Sequence, residues 1–151
     1  MRVLIQRVSQ ASVTIDGEVH GQIDRGLLCF VGVTNGDSEA DVDKIAHKVS
    51  GLRVFEDEAG KMNLSLDQVN GDLLVISQFT LYGNVKKGFR PGFAEAADPS
   101  LASSLYDSLI DELRAKGHTV QTGVFGADMA ISLINDGPVT LLIESHNGAI
   151  I

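Results

Sequence analysis

Leu133-Ile134-Asn135-Asp136-Gly137-Pro138-Val139-Thr140 lies between two apolar runs near the C-terminus, and its reading decides how the chain folds. Met129 to Ile134 and Val139 to Glu144 are rich in Ile, Leu and Val, the composition of strands, and Asn135-Asp136-Gly137-Pro138 between them is dense in turn residues. Pro138 has no N–H to give to a ladder where a strand begins. Gly137 takes backbone angles closed to other residues and leaves room for a close approach. The stretch predicts two strands joined by a turn. Only about 5–6% of X–Pro bonds in folded proteins are cis, so spacing alone predicts an ordinary trans turn, with the cis bond as the alternative.

Upstream of it, Val120 to Phe125 predicts another strand, and Leu73 to Thr80 a core strand ending in the polar cluster Ser77-Gln78-Phe79-Thr80. Between them, Asp98-Pro99 opens a helix with Asp98 as N-cap and Pro99 at the first helical position. Leu101, Leu105, Leu109 and Leu113, flanked by Ala102, Tyr106 and Ile110, form its apolar stripe, and Gly117 ends it. Tyr82 to Ala97, with three glycines, Pro91 and the cations Lys86, Lys87 and Arg90, has the composition of a surface loop able to meet a ligand. In the first third, Arg2 to Val8 and Ser12 to Asp16 read as successive strands. Asp16-Gly17 is a hairpin turn, Glu18 to Ile23 returns, and Gly26 to Val33 is apolar throughout, as a strand buried on both faces is. Ser38-Glu39-Ala40-Asp41 starts a helix whose inner face is Val42, Ile45, Ala46, Val49 and Leu52, while Arg53 to Leu66 is polar and irregular. This order predicts an α/β fold: one domain over residues 1–151, with a mixed, strongly curved, barrel-like sheet and two helices packed on it.

At 151 residues, 44% hydrophobic, 21% charged and 5% aromatic, the composition is that of a soluble protein with an aliphatic core. No apolar run approaches the roughly 20 residues that cross a bilayer, so no membrane partner is expected, and the N-terminus has no signal-peptide pattern. Cytoplasmic localisation is the expectation. Cys29, the sole cysteine, lies inside an apolar strand and predicts core filling rather than chemistry. A net charge of −8 argues against a protein that neutralises a long duplex, so no DNA partner is expected. The cluster Lys86, Lys87 and Arg90 suffices for one or two phosphates while the acidic remainder repels the rest of a large RNA. That charge pattern suits a protein that meets a large RNA only at one end; the alternative is a solvated loop.

Several chemistries are set aside. His20, His47, His118 and His146 have no metal-ligand spacing, and neither a dinucleotide fingerprint nor a P-loop occurs. Ser77 is not in a Gly-x-Ser-x-Gly elbow. No metal and no cofactor is expected.

Ser77-Gln78-Phe79-Thr80-Leu81 and Asn135-Asp136-Gly137-Pro138-Val139-Thr140 together resemble the two signature motifs of the D-aminoacyl-tRNA deacylases. Met1 to Val8, Lys87-Gly88-Phe89-Arg90-Pro91-Gly92-Phe93 and Gly123 to Met129 are also similar to that family, so the resemblance runs along essentially the whole chain. It implies hydrolysis of the ester between a D-amino acid, or misplaced glycine, and the terminal adenosine of tRNA, by a homodimer. It implies further that Gly137 and Pro138 enter the partner subunit's pocket, braced by Arg7. The aminoacyl ester is already activated by the vicinal hydroxyl of its ribose, so the protein must chiefly position and polarise it. Main-chain N–H groups at Phe79 and Thr80 would form the oxyanion hole, with Ser77 and Gln78 shaping the pocket. Thr80 as a covalent nucleophile is the alternative within that function. A backbone wall at Gly137-Pro138 would reject L side chains and admit D ones. Phe125 and Met129 are expected as pocket walls, with plain core packing as the alternative. Phe93 is a candidate to stack on the terminal adenine, and Lys87 and Arg90 to meet tRNA. Two contrasting functions are a small-molecule esterase with Ser77 or Thr80 as nucleophile, and a dimeric RNA-end-binding module without catalysis.

Overall fold

The computed structural model describes residues 1–151. It contains strands β1 (Arg2–Ile15), β2 (Glu18–Ile23), β3 (Gly26–Gly32), β4 (Phe55–Glu56), β5 (Met62–Leu64), β6 (Asp72–Ser77), β7 (Val120–Thr122), β8 (Ala130–His146) and β9 (Ala149–Ile150). Its helices are α1 (Glu39–Gly51) and α2 (Pro99–Ala115). Seven strands form one mixed sheet in the order β7-β6-β3-β1-β8-β9, with β2 also paired to β1, while β4 and β5 form a separate hairpin. The expected curled α/β sheet with two helices is observed.

Two long strands organise it. The segments read as two strands, Arg2 to Val8 and Ser12 to Asp16, are one strand, β1; its first half pairs with β3, its second with β2, and β8 follows it along both. Strands of 14 and 17 residues accumulate enough twist to curl a sheet toward a barrel. The β1–β2 hairpin turns at Asp16 and Gly17, both with positive φ, as the Asp-Gly dipeptide predicts.

β3, β6 and β7 are parallel neighbours, with α1 and the small hairpin crossing from β3 to β6 and α2 from β6 to β7. Alternation along the inner strands serves two cores. Leu27, Cys29, Leu73 and Val75 join the larger one with Val42, Ile45, Val49, Leu105, Leu109 and Leu113 from the helices. Leu28, Leu74 and Ile76 face the other way, against Val8, Ala11, Val13 and Ile23 in the hollow of the sheet. The continuous apolar pattern of Gly26 to Val33 thus reflects burial on both faces. Burial pushes the Cys29 thiol up to about 12, so it stays protonated as core filling.

Both helix starts follow the sequence. Asp98 Oδ1 accepts from the N–H groups of Ser100 and Leu101 at 3.0 and 3.2 Å, and Ser38 caps α1 with Asp41 three residues on. Asp41 is buried and has a second role. Its Oδ1 accepts from Ser145 Oγ at 2.5 Å and from the Gly148 N–H at 3.0 Å, tying α1 to the end of β8. Burial alone would raise its pKa; the hydrogen bonds from Ser145, Gly148 and Ser38 outweigh that and hold it below the usual carboxylate range.

Three expected boundaries shift. β6 stops at Ser77, and Phe79–Tyr82 is a 3-10 turn rather than strand. β7 is only Val120–Thr122, because Gly123 leaves the sheet. The predicted pair of strands around Asn135–Pro138 is the single strand β8, from which the turn residues bulge without ending it.

Candidate active site

The polar cluster after β6 sits at the C-terminal ends of the parallel strands, where open α/β sheets leave a crevice. There a cavity of about 600 Å³ is lined by Val31 and Val33 at the end of β3, by Ile76, Ser77, Gln78 and Phe79 at the end of β6, and by Phe125 to Met129 beyond β7. Phe93, Ala96 and Ala97 from the long loop and Pro99 and Ala102 from the start of α2 close its side.

The turn at Phe79–Tyr82 is held from several directions. The Gln78 N–H donates to Val31 O at 2.7 Å, extending the β3–β6 ladder by one bond. Gly32 lets this segment approach, since a Cβ there would lie 3.2 Å from Gln78 O and 3.0 Å from Leu81 Cβ. Arg2 Nη1 donates to Leu81 O at 2.9 Å, while its Nε donates to Glu144 Oε1 at 2.7 Å and its guanidinium lies over the Tyr82 ring. Phe79 and Thr80 are the first residues of the turn, so the turn itself does not use their N–H groups. The Thr80 hydroxyl accepts from Gln78 Nε2. Phe79 packs edge-on against Phe93, with ring centroids 5.0 Å apart, and Phe125 lies against Tyr106, whose hydroxyl donates to Val75 O at 2.7 Å. Burial, reinforced by the nearby Asp107 carboxylate, raises that hydroxyl's pKa, keeping it a donor.

Asn135–Thr140 makes a different structure. Val8 pairs with Asn135 and Gln6 with Thr140, so two steps along β1 face five along β8, and the surplus residues leave the ladder as a bulge carrying Asp136, Gly137 and Pro138 to solvent. The Gly137-Pro138 bond is cis, not the trans form expected from spacing alone. Arg7 braces the bulge from inside. Its side chain is buried, with Nε donating to Asp136 O at 2.8 Å and Nη1 to Val54 O at 2.7 Å. Asn135 Oδ1 accepts from the Val139 N–H at 2.9 Å, and its Nδ2 lies within hydrogen-bond distance of Gln6 Oε1, Val139 O and Thr140 Oγ1. Gly137 has φ +152°; a Cβ there would lie 2.7 Å from Val139 N and 3.3 Å from Arg7 Nη2, so no larger residue fits unchanged.

The fold thus brings together Ser77, Gln78, Phe79, Phe93, Phe125 and Met129 around one cavity. Thr80 is beside it but not among its walls, and Lys87 and Arg90 are exposed on the loop beyond Phe93. Arg7, Gly137 and Pro138 form the separate braced bulge and do not line the cavity of their own chain. Sequence reading missed Asp128, the only charged side chain in the lining, and the small residues Ala96, Ala97, Ala102 and Ala127. The signal available for Asp128 was its position next to Met129; for the alanines it was their density around Pro99. No histidine, cysteine or lysine reaches the cavity wall.

Residues 4–144 match the family model described as D-Tyr-tRNA(Tyr) deacylase. The chain belongs to that family. Among its relatives, the D-aminoacyl-tRNA deacylase of Thermomicrobium roseum is 57% identical over 145 residues, covering 96% of this chain and 94% of the relative. That of Exiguobacterium sibiricum is 56% identical over 144 residues, covering 95% and 99%. A solved structure described as a c-Myc DNA unwinding element binding protein superimposes with a TM-score of 0.91 at 38% identity, covering 97% of this chain and 99% of that one. A second, from the structural analysis of a probable eukaryotic D-amino acid tRNA deacylase, has a TM-score of 0.81 at 17% identity over 93% of this chain and 97% of that one, and so shares the fold. The family match spans both the cavity turn and the bulge on β8.

Proposed function

We propose that the chain hydrolyses the ester linking a D-amino acid, or misplaced glycine, to the 3′-terminal adenosine of tRNA, a proofreading step that frees the tRNA for recharging. The observation that carries the mechanism is the cavity wall. It offers main-chain donors at the head of the Phe79–Tyr82 turn, aromatic and aliphatic surface, and one carboxylate, with no histidine or cysteine to act as base or nucleophile. Water adds to the ester carbonyl, assisted by the vicinal ribose hydroxyl. The oxyanion is held by the N–H groups of Phe79 and Thr80, each well-placed donor contributing on the order of 3 kcal/mol. Collapse breaks the bond to the ribose 3′ oxygen and releases the amino acid and the tRNA. Thr80 acts through its backbone, since its hydroxyl is engaged by Gln78.

Selection by chirality falls to Gly137 and Pro138 of a second copy of the chain. Their bulge is braced, exposed and shaped to project, and it does not line the Ser77–Phe79 cavity of its own subunit. Exposed Ile134, Leu141 and Leu142 flank it along the same strand, apolar surface that a second copy would cover. With the wall made of backbone, an L side chain is driven into it, a D side chain points away, and glycine escapes rejection. Lys87 and Arg90 meet tRNA phosphate and Phe93 borders the adenosine. No helix is long and apolar enough to cross a membrane, and the reaction belongs in the cytoplasm, with translation.

The test is ester loss from D-tyrosyl-tRNA and, separately, L-tyrosyl-tRNA, with EDTA present. Fast loss of the D ester alone is expected. Equal loss of both would refute the wall, and loss of neither would leave a tRNA-end-binding module. Mixing a subunit carrying Gly137→Val with an excess of one whose cavity is filled by Ala102→Trp should restore D-over-L selectivity if each site uses two chains. No recovery would place the site within one chain.

A further inference from the structure

Between Leu73 and Ala94 the acidic chain carries no Asp or Glu, yet it holds three of the twelve Lys and Arg residues, at 86, 87 and 90. The same loop carries Phe89, whose side chain is fully exposed, alongside exposed Val85. The loop has a built shape. Asn84 and Gly92 exchange backbone hydrogen bonds of 2.9 and 2.7 Å, pinning its neck, and Asn84 Oδ1 accepts from the Lys86 N–H at 2.9 Å. Gly88, with φ +66° and open space where a Cβ would stand, reverses the chain at the tip just before Phe89. The returning arm is stitched to the end of β3, with the Ala97 N–H donating to Val33 O at 3.0 Å and Thr34 Oγ1 to Glu95 O at 2.5 Å. That arm delivers Phe93, Ala96 and Ala97 into the cavity wall.

One loop therefore joins the cavity to a tip carrying an unpaired aromatic ring among three cations. A ring fully in water is surface with a reason to be covered, and cations on the same loop as an exposed ring match a nucleotide, with a phosphate for the charge and a base for the ring. We propose that Phe89 is a stacking post for an unpaired base 5′ to the terminal adenosine, with Lys86, Lys87 and Arg90 holding the phosphates on either side. The occupant is the single-stranded 3′ end of the tRNA. The proposal rests on the reading of the cavity as the seat of the aminoacyl-adenosine. Any base has a face to stack, so the post serves tRNAs irrespective of sequence, while the acidic body keeps the remainder of the RNA at a distance.

The test compares two substrates, D-tyrosyl-tRNA and the minimal ester D-tyrosyl-adenosine, with the wild type, Phe89→Ala, Phe89→Leu and Phe89→Trp. Phe89→Ala should raise KM for the tRNA about tenfold at unchanged kcat and leave the adenosine ester untouched. Trp should restore the tRNA KM and Leu should not. Lys86→Ala should flatten the dependence of log KM on log salt by about one unit for the tRNA alone. An unchanged tRNA KM in Phe89→Ala would overturn the proposal. So would an equal loss on both substrates, and so would a shift of the protein from dimer to monomer, which would mean that a second copy covers the ring. If the wild type hydrolyses the tRNA but not the adenosine ester, the cavity reading fails, whereas the Phe89 post is still decided by the tRNA KM and its rescue by Trp.

Discussion

The cavity after β6 and the bulge on β8 are built in opposite ways. The cavity is concave, assembled from four separated stretches of chain, and the oxyanion donors proposed for it are N–H groups left free by the start of a helical turn. The bulge is convex and comes from a single stretch. Its backbone is braced by Arg7 from β1 and by Asn135 from its own strand. One is a receptor lacking a wall, and the other is a wall with nothing of its own chain to face. A braced projection on an exposed apolar strand has a use once a second copy presents its cavity, and this difference is the physical case for a two-chain site.

The largest effect expected on that comparison is at Gly137. Replacement by Val collides with the Val139 backbone and the Arg7 guanidinium and deforms the tip while leaving the cavity intact. D-over-L selectivity should fall by about a hundredfold or more, the rate form of roughly 3 kcal/mol, as measured by parallel D- and L-tyrosyl-tRNA assays; unchanged selectivity would separate the bulge from discrimination. Next is Arg7→Ala, which leaves Val54 O and Asp136 O without their donor. It should cost about 2–3 kcal/mol of stability and reduce selectivity together, read by thermal unfolding alongside the same two esters. A stability loss without a selectivity loss would show that bracing and discrimination are independent.

Asp41 lies in neither region and serves as the control. Asp41→Asn should cost about 2 kcal/mol while leaving the D-to-L ratio of the folded enzyme unchanged. Because the folded-state pKa of Asp41 is depressed, its contribution is fully present above the unfolded value near 4 and is lost as pH falls toward the folded value. Acid unfolding followed by circular dichroism should therefore show a shallower decline below about pH 4 in the variant. The smallest effect is expected at Thr80→Ala: with the hydroxyl engaged by Gln78 and the backbone donor retained, kcat should fall less than about tenfold. A loss of a thousandfold would make the hydroxyl a nucleophile.

The sequence by itself determined the local structure. Asp98-Pro99 set the start of α2, the leucine stripe set its buried face, Asp16-Gly17 set the hairpin, and unbroken apolar runs marked β3 as a strand buried on both sides and β6 as a core strand. These are short-range effects of capping, turn chemistry and periodicity, so neighbouring residues carry them. It also marked Ser77 to Thr80 and Gly137-Pro138 as belonging to a site, through their resemblance to a family. Tertiary structure decided the rest. That β8 runs unbroken past its turn residues follows from pairing with β1 on either side of the bulge, a partner far away in sequence. That Arg7 and Val54 stand behind Gly137, and that Asp128, Ala96, Ala102 and Ala127 share a cavity wall with Ser77, depend on which strands lie side by side. Packing of distant segments sets those neighbours, and a pattern along the chain holds no record of it.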